Sequence, residues 1–311
     1  IQVLAHLLQQ YGIEDMVISP GSRNAPLAIH FSEIEAFNAY SIVDERSAAF
    51  VALGMAKSTH KPVVIACTSG SAAANYYPAI TEAFYQNIPM LVLTADRPTD
   101  FVDLFDGQTI RQKELYRQHS YGDFELIEDS KEDAEEVNFD TIKKAIELCF
   151  EKQGPVHINI PLEEPLYELV SELPTFAEVE KTIRRKDFEM PRNLIADWNT
   201  SQRIMILVGT RDYSAELENQ LSQLVKNHTV VVLSEANSNL HHEKFFKHID
   251  RYIFAFSEED FMTYAPDLLI TIGQNVVSKK VKQFLRKAHP KQHWHIDEVW
   301  QPDTYFALTQ K

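Results

Sequence analysis

Short apolar runs alternate with segments of helical periodicity along most of the chain. In the first half they predict strands at 16–19, 40–43, 62–67, 89–94 and 156–160, and helices at 3–8, 27–31, 48–55, 72–84 and 139–150. In the second half they predict strands at 204–208, 229–233, 268–272 and 293–296, and helices at 217–225 and 281–285. Such alternation is typical of parallel sheets with helices on both faces. The pattern therefore predicts an α/β fold with two doubly wound, mainly parallel sheets.

A segment of different character separates the two halves. Residues 163–200 contain many charges, three prolines and little apolar periodicity, which is typical of a connection. We therefore divide the chain into a first domain at 1–165, a linker at 166–200 and a second domain at 201–311. The strand that ends at Val43 is expected to be buried, and the strand at 293–296 is expected to be the final one. Ala48, Val51, Ala52 and Met55 recur at helical spacing and are expected to face inward from the helix that follows this strand.

Four polar loops directly follow predicted strands of the first domain. They are SPGSR (19–23), DERS (44–47), TSGS (68–71) and ADRP (95–98). Because right-handed crossovers bring all strand-to-helix loops to one edge of a parallel sheet, we expect these loops to meet at its carboxyl edge. The long connection at 99–120 contains GQTIRQ and is expected to be functional, as long loops in compact domains often are.

These loops supply several hydrogen-bond donors to the expected edge. Arginine is suited to binding carboxylates through two parallel hydrogen bonds, and helix N-termini favour anions. The edge therefore predicts a site for small carboxylate substrates, with an ion pair inside the protein as the alternative interpretation of each arginine. The donors are Ser22, Arg23, Ser69, Gly70, Ser71, Arg97, Gln108 and Arg111.

Glu45 is the carboxylate that stands out among these donors. It lies where a predicted strand passes into a helix, beside the apolar residues Val43 and Ala48. Partial desolvation there would suit the side chain to proton exchange near neutral pH. The alternative is that Asp44 and Glu45 only stabilise the positive end of the helix.

Composition and charge exclude several classes of function. The formal net charge of −15 argues against binding to nucleic acids or anionic membranes. No apolar run approaches the length that crosses a bilayer, and the first residues show no signal-peptide pattern. Cys67 and Cys149 lie far apart and lack redox or metal spacing, so we expect buried thiols and a cytoplasmic location.

Two further negative observations narrow the chemistry. No Gly-x-Gly-x-x-Gly sequence is present, which argues against a nicotinamide dehydrogenase. His241 and His242 are adjacent and His293 and His295 alternate, but no carboxylate or cysteine completes a metal-binding set with them. The sequence therefore predicts no metal ligands in this chain.

The motifs, taken together, resemble a known family. SPGSR, DERSAAFVALGMAK, TSGSAAANYYPAI, LTADRP and QTIRQ, in this order and at these spacings, are similar to the 2-succinyl-5-enolpyruvyl-6-hydroxy-3-cyclohexene-1-carboxylate synthases, thiamine-diphosphate enzymes of menaquinone biosynthesis. The resemblance is strong over the first 165 residues and weak beyond them. It implies a pyrimidine-binding domain followed by a Rossmann-like central domain without cofactor.

The resemblance also implies a third domain, in which a Gly-Asp-Gly motif and a later Asn hold Mg²⁺ and the diphosphate of the cofactor. That motif does not occur in this sequence. We therefore expect the chain to be a fragment that is inactive alone. Because the pyrimidine domain of one subunit faces the diphosphate domain of another in this superfamily, the resemblance implies a homo-oligomer, either a dimer or a tetramer.

The implied reaction decarboxylates 2-oxoglutarate on thiamine diphosphate and adds the product to isochorismate in a Stetter-like carboligation. Glu45 matches the family glutamate that hydrogen-bonds the aminopyrimidine ring. Residues expected to line the pyrimidine pocket are Gly70, Asn75 and Tyr76. Residues that match the substrate side are Ser22, Arg23, Arg97, Gln108, Lys279 and Lys280.

Two positions depart from the family pattern. Lys280 replaces an arginine and loses its two-pronged hydrogen bonding, and Gly107 stands where an asparagine is expected before Gln108. Another thiamine-diphosphate carboligase or decarboxylase is the rival enzymatic interpretation. A non-catalytic, anion-binding α/β protein is the alternative of a different class.

Overall fold

A computed structural model describes residues 1–167, 178–181, 190–297 and 299–310. The chain divides into two compact units, residues 1–186 and 187–311. Each unit contains one sheet in which all neighbouring strands are parallel. The prediction of two doubly wound, parallel α/β sheets is therefore confirmed.

The first unit contains a six-stranded sheet in the order β2-β1-β3-β4-β6-β5. Its strands are β1 Asp15–Ile18, β2 Asn38–Ser41, β3 Val63–Cys67, β4 Met90–Asp96, β5 Asp123–Glu125 and β6 Val156–Pro161. Its helices are α1 Gln2–Tyr11, α2 Ala25–Glu33, α3 Glu45–Thr59, α4 Ser71–Asn75, α5 Tyr77–Gln86 and α6 Ala134–Lys152. The sequence pattern missed β5, because three residues are too few to show a period.

The central strands β3, β4 and β6 are buried along their whole length. Strands covered by helices on both faces are typically continuous apolar runs, as these are. On one face of the sheet, α3 and α5 present alanines such as Ala48, Ala52 and Ala83, which are fully buried. These small side chains add little bulk between the helices and the sheet.

Two details of the predicted burial are wrong. Strand β2 was expected to be buried, but all four of its residues are exposed because it is an edge strand that pairs only with β1. Val51 was expected to face inward from α3 and is 44% exposed, since the inner face of the helix is formed by alanines and Leu53.

The second unit contains a five-stranded sheet in the order β11-β10-β9-β7-β8. Its strands are β7 Ile204–Val208, β8 Val230–Ser234, β9 Leu268–Ile272, β10 Gln292–Ile296 and β11 Leu308–Gln310. Its helices are α7 Arg192–Thr200, α8 Ala215–Leu224, α9 Ile249–Ile253, α10 Glu258–Thr263 and α11 Lys279–Ala288. The expectation that 293–296 is the final strand is wrong, because β11 pairs with β10 beyond it.

The predicted linker at 166–200 is described only in part. Residues 168–177 and 182–189 lie outside the described residues. Its last residues form helix α7, and Leu194 packs into the core of the second unit beside Ile204 and Leu221. This helix was not predicted because its sequence is mostly polar. The predicted domain limits stay a prediction.

Candidate active site

Several strands of the first sheet end side by side at its carboxyl edge. The register pairs Ile18 with Ala66, Cys67 with Thr94 and Asp96 with Pro161. We call the group of loops beyond these strand ends the rim. It consists of residues 19–24, 44–47, 68–71, 97–98 and 106–112.

The loop after β1 packs closely against the loop after β3. Asn24, which is fully buried, accepts a hydrogen bond from Gly21 N (2.8 Å) and donates one to Ser19 O (2.9 Å). A side chain at Gly21 would collide with Thr68, since an added Cβ would lie 2.5 Å from the Cβ of Thr68. Glycine at position 21 and asparagine at position 24 therefore shape this turn. Asn24 was not among the residues predicted for the site.

Arg23 lies in this turn with most of its side chain shielded from solvent. Its backbone N donates to Thr68 Oγ1 (3.2 Å), and its Nη1 donates to Leu162 O (3.0 Å). Its Nη2 forms an ion pair with Glu164 Oε1 at 3.1 Å. The neighbouring Ser22 is exposed. Arg23 thus has a carboxylate partner within the protein and also lies on the rim.

Arg97 follows β4 and contacts two other segments of the rim. Its Nε donates to Asp106 Oδ2 (2.7 Å), and its Nη1 donates to Ser69 Oγ (3.4 Å). The hydrogen bond from Arg97 is the largest factor that lowers the pKa of Asp106, and the charge of Arg23 also contributes. Arg23 and Arg97 therefore act on the same carboxylate, which supports the expectation that they share one edge.

Glu45 is the first residue of α3, where a helix favours negative charge. Asp44 caps the helix by accepting a hydrogen bond from Ser47 N (2.7 Å). Asn75 Nδ2 donates to Glu45 Oε2 (3.3 Å), which brings together two of the residues expected at the pyrimidine site. After burial, the charge of Glu45 is the next factor that raises the pKa of Cys67, so the carboxylate lies near the end of β3.

Val43 was expected to shield Glu45 from solvent, but it does not. The Val43 side chain is 78% exposed, whereas Ala48 is fully buried. The reason is the edge position of β2, which leaves the residues after it open to solvent.

The buried side chain of Gln112 holds the Thr68–Ser71 turn through a hydrogen bond from Gly70. Gly70 has φ 82° and ψ −142°, a conformation that strongly favours glycine. Gly70 N donates to Gln112 Oε1 (2.7 Å), while Gln112 Nε2 donates to Ala95 O (3.2 Å) and to Asn159 Oδ1 (3.0 Å). Gln112 is 1% exposed and joins the ends of β4 and β6 to this turn.

The rest of the 107–112 segment is more open to solvent. Gln108 is exposed, with φ 57°, and its carbonyl oxygen lies 3.1 Å from the position that a Cβ on Gly70 would take. Gln112 is the last residue of the QTIRQ motif but was not among the residues predicted for the site. Its burial, the property that distinguishes it from Gln108, depends on contacts that are distant in sequence.

Tyr76 is a buried residue of the core. Its side chain is fully buried, and its hydroxyl donates to Ser19 Oγ (3.3 Å). Burial raises the pKa of Tyr76 well above its ordinary value. In this structure Tyr76 exposes no surface on the rim, so its direct role in a pyrimidine pocket stays a prediction.

Lys279 and Lys280 belong to the second unit. They are the first two residues of α11, and both are exposed. The Nζ of Lys280 lies 5.6 Å from the centre of the Phe254 ring, a cation–π contact. That these two lysines bind substrate stays a prediction.

The two cysteines and the alternating histidines of β10 lie in the protein interior. Cys67 and Cys149 are free, buried thiols, as expected, and burial raises the pKa of each. His293 and His295 both contact the hydroxyl of Thr271, at 2.8 Å each. Over the described residues, no group of three or more His, Cys, Asp or Glu side chains is arranged to hold a metal ion.

Sequence comparison relates this chain to known enzymes. Residues 1–121 match the family described as thiamine pyrophosphate enzyme, N-terminal TPP binding domain. A 2-succinyl-5-enolpyruvyl-6-hydroxy-3-cyclohexene-1-carboxylate synthase from Flavobacterium johnsoniae is 45% identical over 99% of this chain. The chain is homologous to these synthases. Enzymes of the same name from Flavobacterium psychrophilum and Porphyromonas gingivalis are 44% and 37% identical, each over 99% of the chain.

The homology extends through both units but covers only part of each relative. The chain spans 56% of the length of the F. johnsoniae synthase and 54% of that from P. gingivalis. Similarity to the synthases, proposed from the motifs of the first 165 residues, is confirmed, and it reaches further into the second unit than those motifs suggested. In the part of the chain that the structure describes, no helix is both long and apolar enough to cross a membrane.

Proposed function

We propose that this chain provides the pyrimidine-binding and central domains of a 2-succinyl-5-enolpyruvyl-6-hydroxy-3-cyclohexene-1-carboxylate synthase. The proposed reaction decarboxylates 2-oxoglutarate and joins the product to isochorismate, with thiamine diphosphate as the cofactor. The observation that supports it most is the juxtaposition of Glu45, Asn75, Arg23 and Arg97 around the end of one parallel sheet, in a chain homologous to these synthases.

Glu45 would provide the proton chemistry of the site. When bound, thiamine diphosphate supplies the electron sink that decarboxylation requires. The Glu45 carboxylate is half-buried and accepts a hydrogen bond from Asn75, which orients it at the positive end of α3. A carboxylate held in this way can accept a proton from, and return it to, a ring nitrogen, so these residues fit a pyrimidine.

Arg23 and Arg97 would bind the acidic groups of the substrates. Both proposed substrates are dicarboxylic acids, and guanidinium groups bind carboxylates in two-pronged geometry. The side chains of Arg23 and Arg97 are 12% and 18% exposed, so a substrate carboxylate there would be partly shielded from water. Ser22 and Gln108 are exposed on the rim and would add neutral hydrogen bonds. Lys279 and Lys280 are exposed in the second unit, and their role toward the substrates stays a prediction.

The proposal extends to assembly and location. Tyr40 on β2 and Phe50 and Val51 on α3 are large apolar side chains that are each 44–45% exposed, which supports a subunit contact in a dimer or tetramer. Two buried, unpaired thiols support a reducing compartment such as the cytoplasm. Mg²⁺ is part of the proposed holoenzyme, and no residue of this chain is assigned to it.

The proposal is tested with a protein of the relatives' full length, purified and supplied with thiamine diphosphate and Mg²⁺. We expect carbon dioxide release from 2-oxoglutarate together with consumption of isochorismate, and a product whose mass equals both substrates less carbon dioxide. Other 2-oxo acids and acceptors test the rival carboligase interpretation. Equal or better turnover of a different pair of substrates would overturn the proposed specificity.

A further inference from the structure

Asp106 is a carboxylate of the rim that the proposed mechanism does not use. It lies in the segment between β4 and Gln108, and its Oδ2 accepts the hydrogen bond from Arg97 Nε at 2.7 Å. Its Oδ1 accepts a hydrogen bond from Gly107 N (3.0 Å), and its carbonyl oxygen accepts one from Thr109 Oγ1 (2.7 Å). The local backbone therefore fixes the direction from which this carboxylate approaches Arg97.

The same carboxylate lies in the field of both rim arginines. The pKa of Asp106 is lowered first by its hydrogen bond from Arg97, and the charges of Arg97 and Arg23 add to this effect. Arg23 has its own partner in Glu164, at 3.1 Å. Each arginine expected to receive a substrate carboxylate is thus already neutralised by a carboxylate of this chain.

The Arg97–Asp106 pair is suited to exchange with an incoming anion. The Asp106 side chain is 44% exposed, and ion pairs of this exposure contribute little to stability because water and salt screen them. The arginine is much less exposed, at 18%, so an anion that replaced Asp106 would meet a guanidinium largely shielded from water. Arg97 also keeps its contact with Ser69 Oγ through Nη1, independently of Asp106.

We propose that Asp106 is a specificity-determining residue whose carboxylate competes with the substrate for Arg97. This inference rests on the proposed function of the rim in binding 2-oxo dicarboxylic acids. A substrate carboxylate that reaches Arg97 must displace Asp106 or bind beside its negative charge. Asp106 therefore weakens binding of acids at this position and sets how strongly the site prefers a dicarboxylate over a monocarboxylate.

The matched substitution is Asp106→Asn, which retains the shape and a hydrogen-bond acceptor but removes the charge. One unit-charge interaction at about 4 Å in water corresponds to about 1 kcal/mol, or a factor of about five. We expect the KM for 2-oxoglutarate to fall about fivefold in the full-length protein, while kcat stays within about twofold. A monocarboxylic 2-oxo acid of similar length, which lacks the second carboxylate, should show a smaller change in KM.

Glu114→Gln provides the control in the same connection. Glu114 pairs with Arg117 at 3.0 Å, both side chains are more than half exposed, and neither residue lies on the rim. This substitution makes the same change in net charge without altering the partner of Arg97, so its KM should match the wild type. Circular dichroism checks folding, and Asp106→Ser serves as a second charge-removing variant.

The outcomes separate this inference from the proposed function. Calorimetric titration of the full-length protein without thiamine diphosphate should show tighter binding of 2-oxoglutarate to Asp106→Asn than to the wild type, independently of turnover. If the wild type is active but Asp106→Asn binds 2-oxoglutarate no more tightly than Glu114→Gln, the competition is refuted and the proposed function stands. A wild type that neither binds nor converts 2-oxoglutarate would overturn both.

Discussion

Replacing Gln112 with leucine should destabilise the first unit selectively. The Gln112 side chain makes three buried hydrogen bonds, with Gly70 N, Ala95 O and Asn159 Oδ1. Leucine has nearly the same size but can form none of them. Gly70 N would then be left without its acceptor in a turn that is already restricted to an unusual backbone conformation.

The expected cost follows from these contacts. Leaving the buried Gly70 N–H without a partner costs about 1–3 kcal/mol. Losing each of the other two hydrogen bonds of Gln112 costs about 0.5–1.5 kcal/mol. Apolar burial of the leucine side chain offsets part of this loss. We therefore expect the free energy of unfolding of the first unit to fall by about 2–4 kcal/mol, a large share of the roughly 5–15 kcal/mol typical of a folded domain.

The two units can be followed separately in this 311-residue chain. All three tryptophans, Trp198, Trp294 and Trp300, lie in the second unit. Urea unfolding monitored by tryptophan fluorescence should therefore change little in Gln112→Leu, whereas far-ultraviolet circular dichroism should show an earlier transition of the first unit. If the midpoint of the fluorescence transition falls to a lower urea concentration by as much as the midpoint from circular dichroism, the effect is not confined to the first unit.

Gln108→Leu is the matched control, because Gln108 lies in the same segment but is exposed. Its substitution should change the free energy of unfolding by less than about 0.5 kcal/mol, as is usual for surface positions. If Gln112→Leu lowers the free energy of unfolding no more than Gln108→Leu does, the buried hydrogen bonds of Gln112 do not hold the Thr68–Ser71 turn in place.

Three further predictions concern proton transfer, pH and assembly. In the full-length holoenzyme, Glu45→Gln should slow hydrogen–deuterium exchange at the reactive cofactor carbon about 10²–10⁴-fold by NMR, and wild-type exchange would make Glu45 structural. The pKa of His293 is lowered from 6.5 to about 4, first by burial and then by His295. Between pH 6.5 and about 4 the unfolded chain binds a proton on His293 that the folded chain does not bind, so the free energy of unfolding should fall as the pH falls through this range. Urea unfolding should show a smaller fall in His293→Gln. Light scattering should detect a dimer or larger species, and Phe50→Asp should weaken it; a wild type that is monomeric at high concentration would contradict this.

Local sequence was sufficient for much of the first unit. The positions of β3, β4 and β6 were predicted because strands covered on both faces are continuous apolar runs. The meeting of the SPGSR, TSGS and ADRP loops was predicted because the handedness of crossovers leaves them a single edge. Both inferences depend on short-range pattern and chain chirality, which do not require knowledge of the packed structure.

Other features were decided only when distant segments packed together. The exposure of β2 follows from its place at the edge of the sheet, and β11 was invisible because a three-residue strand has no recognisable period. Gln108 and Gln112 have the same side chain four residues apart, yet one is exposed and the other is buried under a turn. Asp106 became the partner of Arg97 through loop conformation, which the order of residues does not reveal. Residue types indicated what chemistry was available, whereas burial and pairing depend on long-range contacts and therefore required the tertiary structure.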